Sequence, residues 1–229
     1  MQRRWGRLFS GASVLSPALL GMCVGAVASG SIRVQRGVVT SGFFASWTSP
    51  FALATGALTL ALFAFLAAVY LSAEAREPAL AEDFRARALA SGALVFVAAA
   101  GVLLLAREGA PRVWRGLVHA PFALSLHAAT ALAAGAAFAL LWRRRFHAAR
   151  AAAALQAALI VLGWAASQHP YLVVEALTLH EAAAGEATQR ALLWALLAAV
   201  LVTVPSGVLL YRVFGRGAVR GAGAPPPTH

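Results

Sequence analysis

Long apolar runs separated by short charged segments dominate the sequence. The clearest run extends from Pro50 to Ala73 without a charged residue, and about 20 apolar residues suffice for a helix to cross the hydrocarbon of a bilayer. Pro50 suits the first turn of a helix, where its missing N–H has no partner to lose. Trp47 and Tyr70 lie near the two ends of the run, at the depth that favours amphipathic aromatic rings. This run therefore predicts a transmembrane helix.

The same pattern recurs along the chain and predicts about six transmembrane helices. Pro205 falls inside the sixth run, where we expect it to kink the helix. Residues 217–229 are rich in proline and predict a disordered cytoplasmic tail. The sequence thus predicts an all-α fold, a polytopic integral membrane helical bundle that forms one domain over residues 1–216. The six helices are predicted near residues 8–29, 50–73, 88–106, 116–142, 151–167 and 191–211.

The first apolar run allows two interpretations. Its basic start, its apolar middle and the small residues Ala26-Val27-Ala28 suit a cleaved signal peptide. However, the run is longer than the apolar region of a signal peptide, and Gly21, Gly25 and Ser29 follow one another at a spacing of four. Small residues at that spacing let membrane helices approach closely, so we expect a retained helix. A second close-packing face is predicted on the fourth helix by Ala131, Gly135 and Ala139.

Composition excludes an ordinary soluble protein, because 61% of the residues are hydrophobic, only 12% are charged and the mean hydropathy is +0.75. The net charge of +11 is the difference between 19 arginines and eight acidic residues, and the chain has no lysine. These arginines flank the apolar runs, so we expect no nucleic acid as a partner. Thirteen of them lie on the side of the two termini, and the positive-inside rule then predicts that both termini are cytoplasmic. The one cysteine, Cys23, allows no disulfide within the chain.

Two histidines, His119 and His127, fall inside the predicted fourth helix and are the candidate cofactor ligands, since neutral imidazole can bind haem iron. Their spacing corresponds to about 12 Å of rise and about 80° of rotation, so they cannot bind one iron together. A polar contact with a neighbouring helix or subunit is the alternative. All eight acidic residues lie outside the predicted spans. The sequence predicts no catalytic residue and no metal site.

A further set of residues is predicted to pack within the bundle or against a partner. Gln156 lies on the fifth predicted helix, where an interhelical hydrogen bond is expected. The end of the same helix carries Trp164, Gln168 and Pro170, which fit either an aromatic belt with a helix stop or a contact with a ligand or partner. The full set of candidates is Trp47, Pro50, Phe51, Gln156, Trp164, Gln168 and Pro170.

Several short stretches follow one another in an order and spacing that resemble subunit II of cytochrome bd ubiquinol oxidase. They extend over roughly residues 4–216 and are Arg4–Phe9, Ser13–Pro17, Gly21–Gly30, Gly42–Phe51, Ala68–Leu71, Asp83–Ala88, Arg144–Phe146, Gln156, Gly163–Tyr171, Leu177–Leu179 and Tyr211–Phe214. His169 departs from the family, which more often has an aromatic residue there, and Val173-Val174-Glu175 replaces a proline-rich turn. Family members usually begin with about three more membrane helices, so we expect a split, truncated or shortened relative.

The resemblance implies a heterodimer in the bacterial inner membrane that oxidises quinol and reduces dioxygen to water. Haems b and d are then expected on the larger subunit I, and this chain is expected to ligate no haem and to support assembly, with membrane lipid and the quinone pool around it. A quinone held as a structural lipid is compatible with this role. Two alternatives stay open, a small multi-span transporter or permease and a self-contained membrane cytochrome that uses His119 and His127.

Overall fold

A computed structural model describes residues 2–35 and 38–220 of the chain. The helices of this part are α1 (Gln2–Ser29), α2 (Pro50–Glu74), α3 (Pro78–Gly109), α4 (Pro111–His119), α5 (Ala123–Trp142), α6 (Phe146–Gln168), α7 (Leu179–Ala182) and α8 (Glu186–Arg220). Two antiparallel hairpins pair β1 (Val34–Gln35) with β2 (Val38–Val39) and β3 (Tyr171–Val173) with β4 (Leu177–Thr178). Within the described ranges, six helices are long and apolar enough to cross a membrane, namely α1, α2, α3, α5, α6 and α8. The predicted all-α membrane fold is confirmed.

Charged segments continue several helices beyond their apolar runs. α3 begins at Pro78 instead of near residue 88, and its added turns carry ion pairs between residues three and four apart. Arg85 Nε lies 2.8 Å from Glu82 Oε2, and Arg87 Nη2 lies 2.9 Å from Asp83 Oδ2. Such pairs stabilise a helix outside an apolar environment. The length of an apolar run therefore predicts the membrane span but underestimates the length of the helix.

The last helix is extended in the same way at both ends. α8 begins at Glu186, whose carboxylate pairs with Arg190 one turn later at 2.6 Å, and it continues through Pro205 to Arg220. Residues 217–220 are therefore helical where a tail was predicted from residue 217. The rest of that predicted tail, 221–229, lies outside the described residues.

The predicted fourth helix over residues 116–142 is wrong, because two helices, α4 and α5, occupy this region. Ala120 between them is extended, with φ −71° and ψ 149°. The following Pro121 explains this, since the proline ring disfavours a helical conformation of the preceding residue. α4 has nine residues, too few to cross a bilayer. Its polar residues recur at helical spacing, and Val113 is buried. This amphipathic pattern is typical of a helix that lies in a membrane interface.

The chain divides into two compact units, Met1–Glu181 and Ala182–His229. In the first unit, α2 packs against α1, α3 and α6. The fully buried Phe65 of α2 faces Gly92 of α3, where an added Cβ would lie 3.1 Å from the Phe65 ring and 2.8 Å from the Phe138 ring of α5. The buried core around Phe65 consists of Ala61, Leu62, Ala68, Val69, Ala88, Val95, Ala137, Leu141, Ala149 and Ala153.

The close approach predicted for α1 is confirmed at its contact with α2. A Cβ on Gly25 would lie 2.7 Å from the Cα of Ala52, and a Cβ on Gly21 would collide with the Thr59 side chain. Both helices therefore meet backbone to backbone. The second predicted face is not packed within this chain at Gly135, where an added Cβ would meet no described atom within 4 Å, and its packing against a partner stays a prediction.

Candidate functional site

Most of the predicted packing residues meet at one end of the first unit, which we call the α4 end. It is built around a buried cluster that joins α1, α2, α3 and α4 and contains Ala28, Phe51, Ala106, Ala110 and Val113. Phe51 is 3% exposed and lies against Gly109, where an added Cβ would be 2.7 Å from the Phe51 Cβ. Pro50 is exposed and starts α2 behind Ser49, whose hydroxyl accepts a hydrogen bond from Ala52 N at 3.2 Å. Phe51 thus packs within the bundle.

The loop before α2 presents an aromatic group at its surface. The Trp47 indole Nε1 donates to the carbonyl of Phe43 at 2.7 Å, and its ring lies 5.4 Å from the ring of Phe44. The phenylalanines themselves are 80% and 63% exposed. Trp47 is therefore satisfied inside its own loop, and Phe43 and Phe44 are the residues free to contact a partner. The signal in the sequence for such a contact was the pair of adjacent phenylalanines in the loop that precedes a membrane helix.

α4 lies directly on the end of α6. A Cβ on Gly116 would be 2.7 Å from the Cα of Ser167 and 3.0 Å from its carbonyl oxygen, so only a glycine allows this distance between the two backbones. Arg112 extends the contact, because its Nη2 donates to the carbonyl of His169 at 3.3 Å. Its guanidinium carbon lies 4.3 Å from the centre of the Tyr171 ring, close enough for a cation–π interaction.

Three buried donors lack a partner where α4 meets α6, and we call them the donor cluster: Arg112, Trp164 and Gln168. Gln168 is 3% exposed, and its Nε2 makes no hydrogen bond to any described residue. The same holds for Trp164 Nε1, one turn earlier on α6, and for Arg112 Nε. An unpaired buried polar group costs about 1–3 kcal/mol, and native proteins seldom leave one unsatisfied. The cluster is therefore suited to an acceptor from outside the chain.

The sequence predicted two members of the donor cluster and missed the third. Trp164 and Gln168 were recognised by their place at the end of a span. Arg112 was placed in a loop, because the predicted fourth helix began after it. Its spacing of three from Arg115 and of seven from His119 was the signal that could have revealed a short amphipathic helix.

The β3–β4 hairpin holds the chain beyond α6 against α1. Val174 N donates to the carbonyl of Val27 at 3.2 Å, and Leu179 N donates to the carbonyl of Pro170 at 2.9 Å. Pro170 itself is exposed. Its backbone carbonyl therefore helps to hold the hairpin at the α4 end, and its exposed ring is available for a contact outside the chain.

A capping box at the start of α7 closes this segment. Thr178 donates from its backbone N and from its hydroxyl to Glu181 Oε2 at 2.9 and 2.8 Å, and Glu181 N donates back to the hydroxyl at 3.2 Å. These hydrogen bonds from the Thr178 backbone and side chain lower the pKa of Glu181, and the charge of His180 acts in the same direction. The capping box thus fixes the end of the hairpin.

Gln156 lies away from the α4 end, in the middle of α6. It is 6% exposed, and its Oε1 is buried without a hydrogen-bond partner among the described residues. The predicted interhelical hydrogen bond is therefore not made through this oxygen. Gln156 presents an acceptor that a group outside this part of the chain can satisfy.

The two candidate haem ligands belong to different helices, because the break at Pro121 separates them. His119 is the exposed last residue of α4, and His127 lies on α5 with its Nδ1 2.8 Å from the carbonyl of Ala123. This contact engages only one of the two ring nitrogens of His127, and the residue itself is exposed. Across residues 2–35 and 38–220, no group of three or more His, Cys, Asp or Glu side chains could hold a metal ion.

Ion pairs tie the helices together at the turn between α5 and α6. Glu82 of α3 pairs with Arg144 at 2.6 Å and with Arg85 at 2.8 Å. Arg150 of α6 pairs with Glu74 of α2 at 2.9 Å and lies 4.4 Å above the ring of Tyr70. Two of the stretches that carried the family resemblance, Asp83–Ala88 and Arg144–Phe146, therefore flank one ion-pair network.

The helices described here define a polytopic α-helical integral membrane protein whose polar contacts concentrate at the helix ends. Comparison with known families is then decisive, because the family described as cytochrome bd terminal oxidase subunit II matches residues 1–214. The chain belongs to this family, and the resemblance found in the sequence is confirmed. No curated protein matches the chain.

A solved structure supports the fold. The chain is similar to one in the structure of bd oxidase from Geobacillus thermodenitrificans, with 24% sequence identity and a TM-score of 0.75. The match covers 93% of this chain and 65% of that chain. The two chains therefore share the helical fold, and this chain spans about two thirds of the other's length.

Proposed function

We propose that the chain is a non-haem-ligating subunit of a respiratory quinol:oxygen oxidoreductase of the cytochrome bd type. The observation that carries the proposal is the family match over residues 1–214. In this role the chain supports the assembly and stability of a haem-bearing subunit, which oxidises quinol and reduces dioxygen to water. Haems b and d then lie on that partner, in the inner membrane of a bacterium with both termini of this chain in the cytoplasm.

The positions of the two histidines agree with a chain that supports assembly and ligates no haem. His119 at the end of α4 and His127 on α5 are both exposed side chains that do not project into the bundle of this chain. A haem buried between helices needs axial ligands that project into the bundle. Neither histidine meets this requirement, so electron transfer is assigned to the partner.

The surface offers places for that partner and for lipid. Phe43 and Phe44 project from the loop before α2, and α3 exposes Leu94, Phe96 and Val97 at 56%, 77% and 66%. Large apolar side chains on a membrane protein can face either lipid or another subunit. The aromatic pair lies outside an apolar run, where lipid tails do not reach, so we assign Phe43 and Phe44 to the subunit contact.

The transporter alternative is not retained, because membership of an oxidase subunit family argues against it. The membrane cytochrome alternative makes a separate prediction about the two histidines. If either ligates haem, its replacement by alanine must lower the haem content of the purified protein.

The test is purification of the full chain, tagged at Met1, from membranes in mild detergent together with the polypeptides that bind it. We expect a larger haem-bearing polypeptide to copurify, and the variants His119→Ala and His127→Ala to keep the wild-type ratio of haem to protein. As a second comparison, replacement of both Phe43 and Phe44 by serine should reduce copurification, whereas serine at the equally exposed Leu124 of α5 should not. Loss of haem in a histidine variant, or purification of the chain without a haem protein, would contradict the proposal.

A further inference from the structure

We propose that the donor cluster binds the phosphate group of a membrane phospholipid. Arg112 on α4, and Trp164 and Gln168 near the end of α6, carry three buried N–H donors that have no partner among the described residues. Indole and guanidinium nitrogens can donate but cannot accept. The complementary ligand must therefore bring acceptor oxygens and no matching donors.

The elements that carry these donors are held in place. Trp164 and Gln168 are four residues apart on α6, so their side chains lie on the same face of the helix. Arg112 reaches that turn of α6 from α4, because its Nη2 donates to the carbonyl of His169. The contact of Gly116 with Ser167, where an added Cβ would be 2.7 Å from the Ser167 Cα, fixes the distance between the two helices. The two helices that carry the donors are thus held in a fixed position relative to each other.

Charge makes an oxyanion the best acceptor. Arg112 makes no ion pair with any carboxylate of the described residues. Of the acids near this end, Glu108 at the end of α3 makes no ion pair within the described residues, and Glu181 is held by Thr178 in the capping box. Glu175 lies against Gly30, where an added Cβ would be 3.5 Å from the carboxylate. An arginine fork with further N–H donors matches the geometry of a phosphate, which offers several acceptor oxygens and a negative charge.

The surroundings favour a lipid over free phosphate as the source of the oxyanion. On α6, directly before the donor cluster, Leu155, Val161 and Leu162 are 55%, 57% and 60% exposed. Val161 precedes Trp164 by three residues and Gln168 by seven, so it lies on the face of α6 that carries these two donors. Acyl chains can lie along this face while the headgroup phosphate reaches the cluster. α4 is amphipathic and too short to span, which places the cluster at headgroup depth.

Native mass spectrometry of the full chain, with the subunits that copurify, tests the proposal through the phospholipid retained during detergent washing. We expect the wild-type protein to retain phospholipid, and the variants Arg112→Met and Gln168→Leu to bind it roughly tenfold more weakly, as for the loss of one charge-assisted hydrogen bond. Arg115→Met is the matched control, because Arg115 is on the same helix but exposed, with its Nε bonded to the carbonyl of Pro111. It should retain lipid like the wild type.

Thermal unfolding of the delipidated wild-type protein distinguishes the two sources of phosphate and does not depend on the variants folding. A rise in Tm with added phosphatidylglycerol but not with inorganic phosphate identifies a lipid. A rise with inorganic phosphate alone identifies a free oxyanion and overturns the lipid assignment. No rise with either, or equal lipid retention in Arg112→Met, Gln168→Leu and Arg115→Met, would overturn the site itself.

Discussion

The substitution Gly25→Ala tests whether α1 and α2 are held together by backbone contact. The new Cβ would lie 2.7 Å from the Ala52 Cα, and Ala52 is fully buried. Ordinary carbon contacts are about 3.5–4.0 Å, so the helices must separate by roughly 1 Å. A gap of this size forfeits a quarter to a half of each dispersion contact around it, and overpacking of a tight site costs about 1–3 kcal/mol.

Gly135→Ala on α5 is the control, because an added Cβ there meets no described atom within 4 Å. Both changes gain the same helix propensity, about 1 kcal/mol, so their difference isolates the steric cost. We expect Gly25→Ala to be less stable than Gly135→Ala by about 1–3 kcal/mol. Unfolding of the full chain in mixed micelles with increasing sodium dodecyl sulfate, followed by circular dichroism, measures this difference. Equal midpoints for the two variants would refute close packing of α1 on α2.

Three further predictions concern polar groups. Replacing Arg144 by Met should destabilise the turn between α5 and α6 by at most about 1 kcal/mol, because its ion pair with Glu82 is partly exposed; the effect should shrink in high salt, and a loss that salt does not change would contradict it. The lowered pKa of Glu181 means that its capping contribution is full above its ordinary value of 4.5 and is lost as the pH falls through the lowered value. Hydrogen exchange protection of residues 177–182 should therefore fall on acidification. A Thr178→Val variant should weaken this pH dependence, because valine keeps the backbone N–H donor to Glu181 and lacks the hydroxyl. Gln156→Leu should leave the isolated chain as stable or more stable, because it removes an unpaired acceptor, and a clear loss of stability in an unfolding measurement would show that the oxygen is paired.

The hydrophobic pattern predicted the spans well, because the free energy of transfer into hydrocarbon depends mainly on residue type. The run from Pro50 gave the start of α2, since Ser49 caps the helix and Pro50 fits its first turn. The same pattern missed the charged beginning of α3, because the ion pairs that stabilise it depend on helical spacing. It also fused α4 with α5, although Pro121 carried the signal for a break.

The candidate site was less accessible from the sequence, because its features arise from contacts between elements. Spacing identified Gly21 and Gly25 as a packing face, but the same spacing at Gly135 has no described helix of this chain against it. The difference between the two faces depends on which helix packs against each of them, and the local sequence carries no signal for this. Trp164 and Gln168 were recognised as candidates, whereas Arg112 became part of the site only through the position of α4 over α6.

The central claim, that this chain supports a haem-bearing oxidase subunit, is tested most directly by a reduced-minus-oxidised difference spectrum of the complex purified through this chain. The account predicts a haem d signature together with haem b, carried by a second and larger polypeptide, and unchanged in His119→Ala and His127→Ala. A haem-free preparation would contradict the claim, and so would haem that disappears when either histidine is replaced.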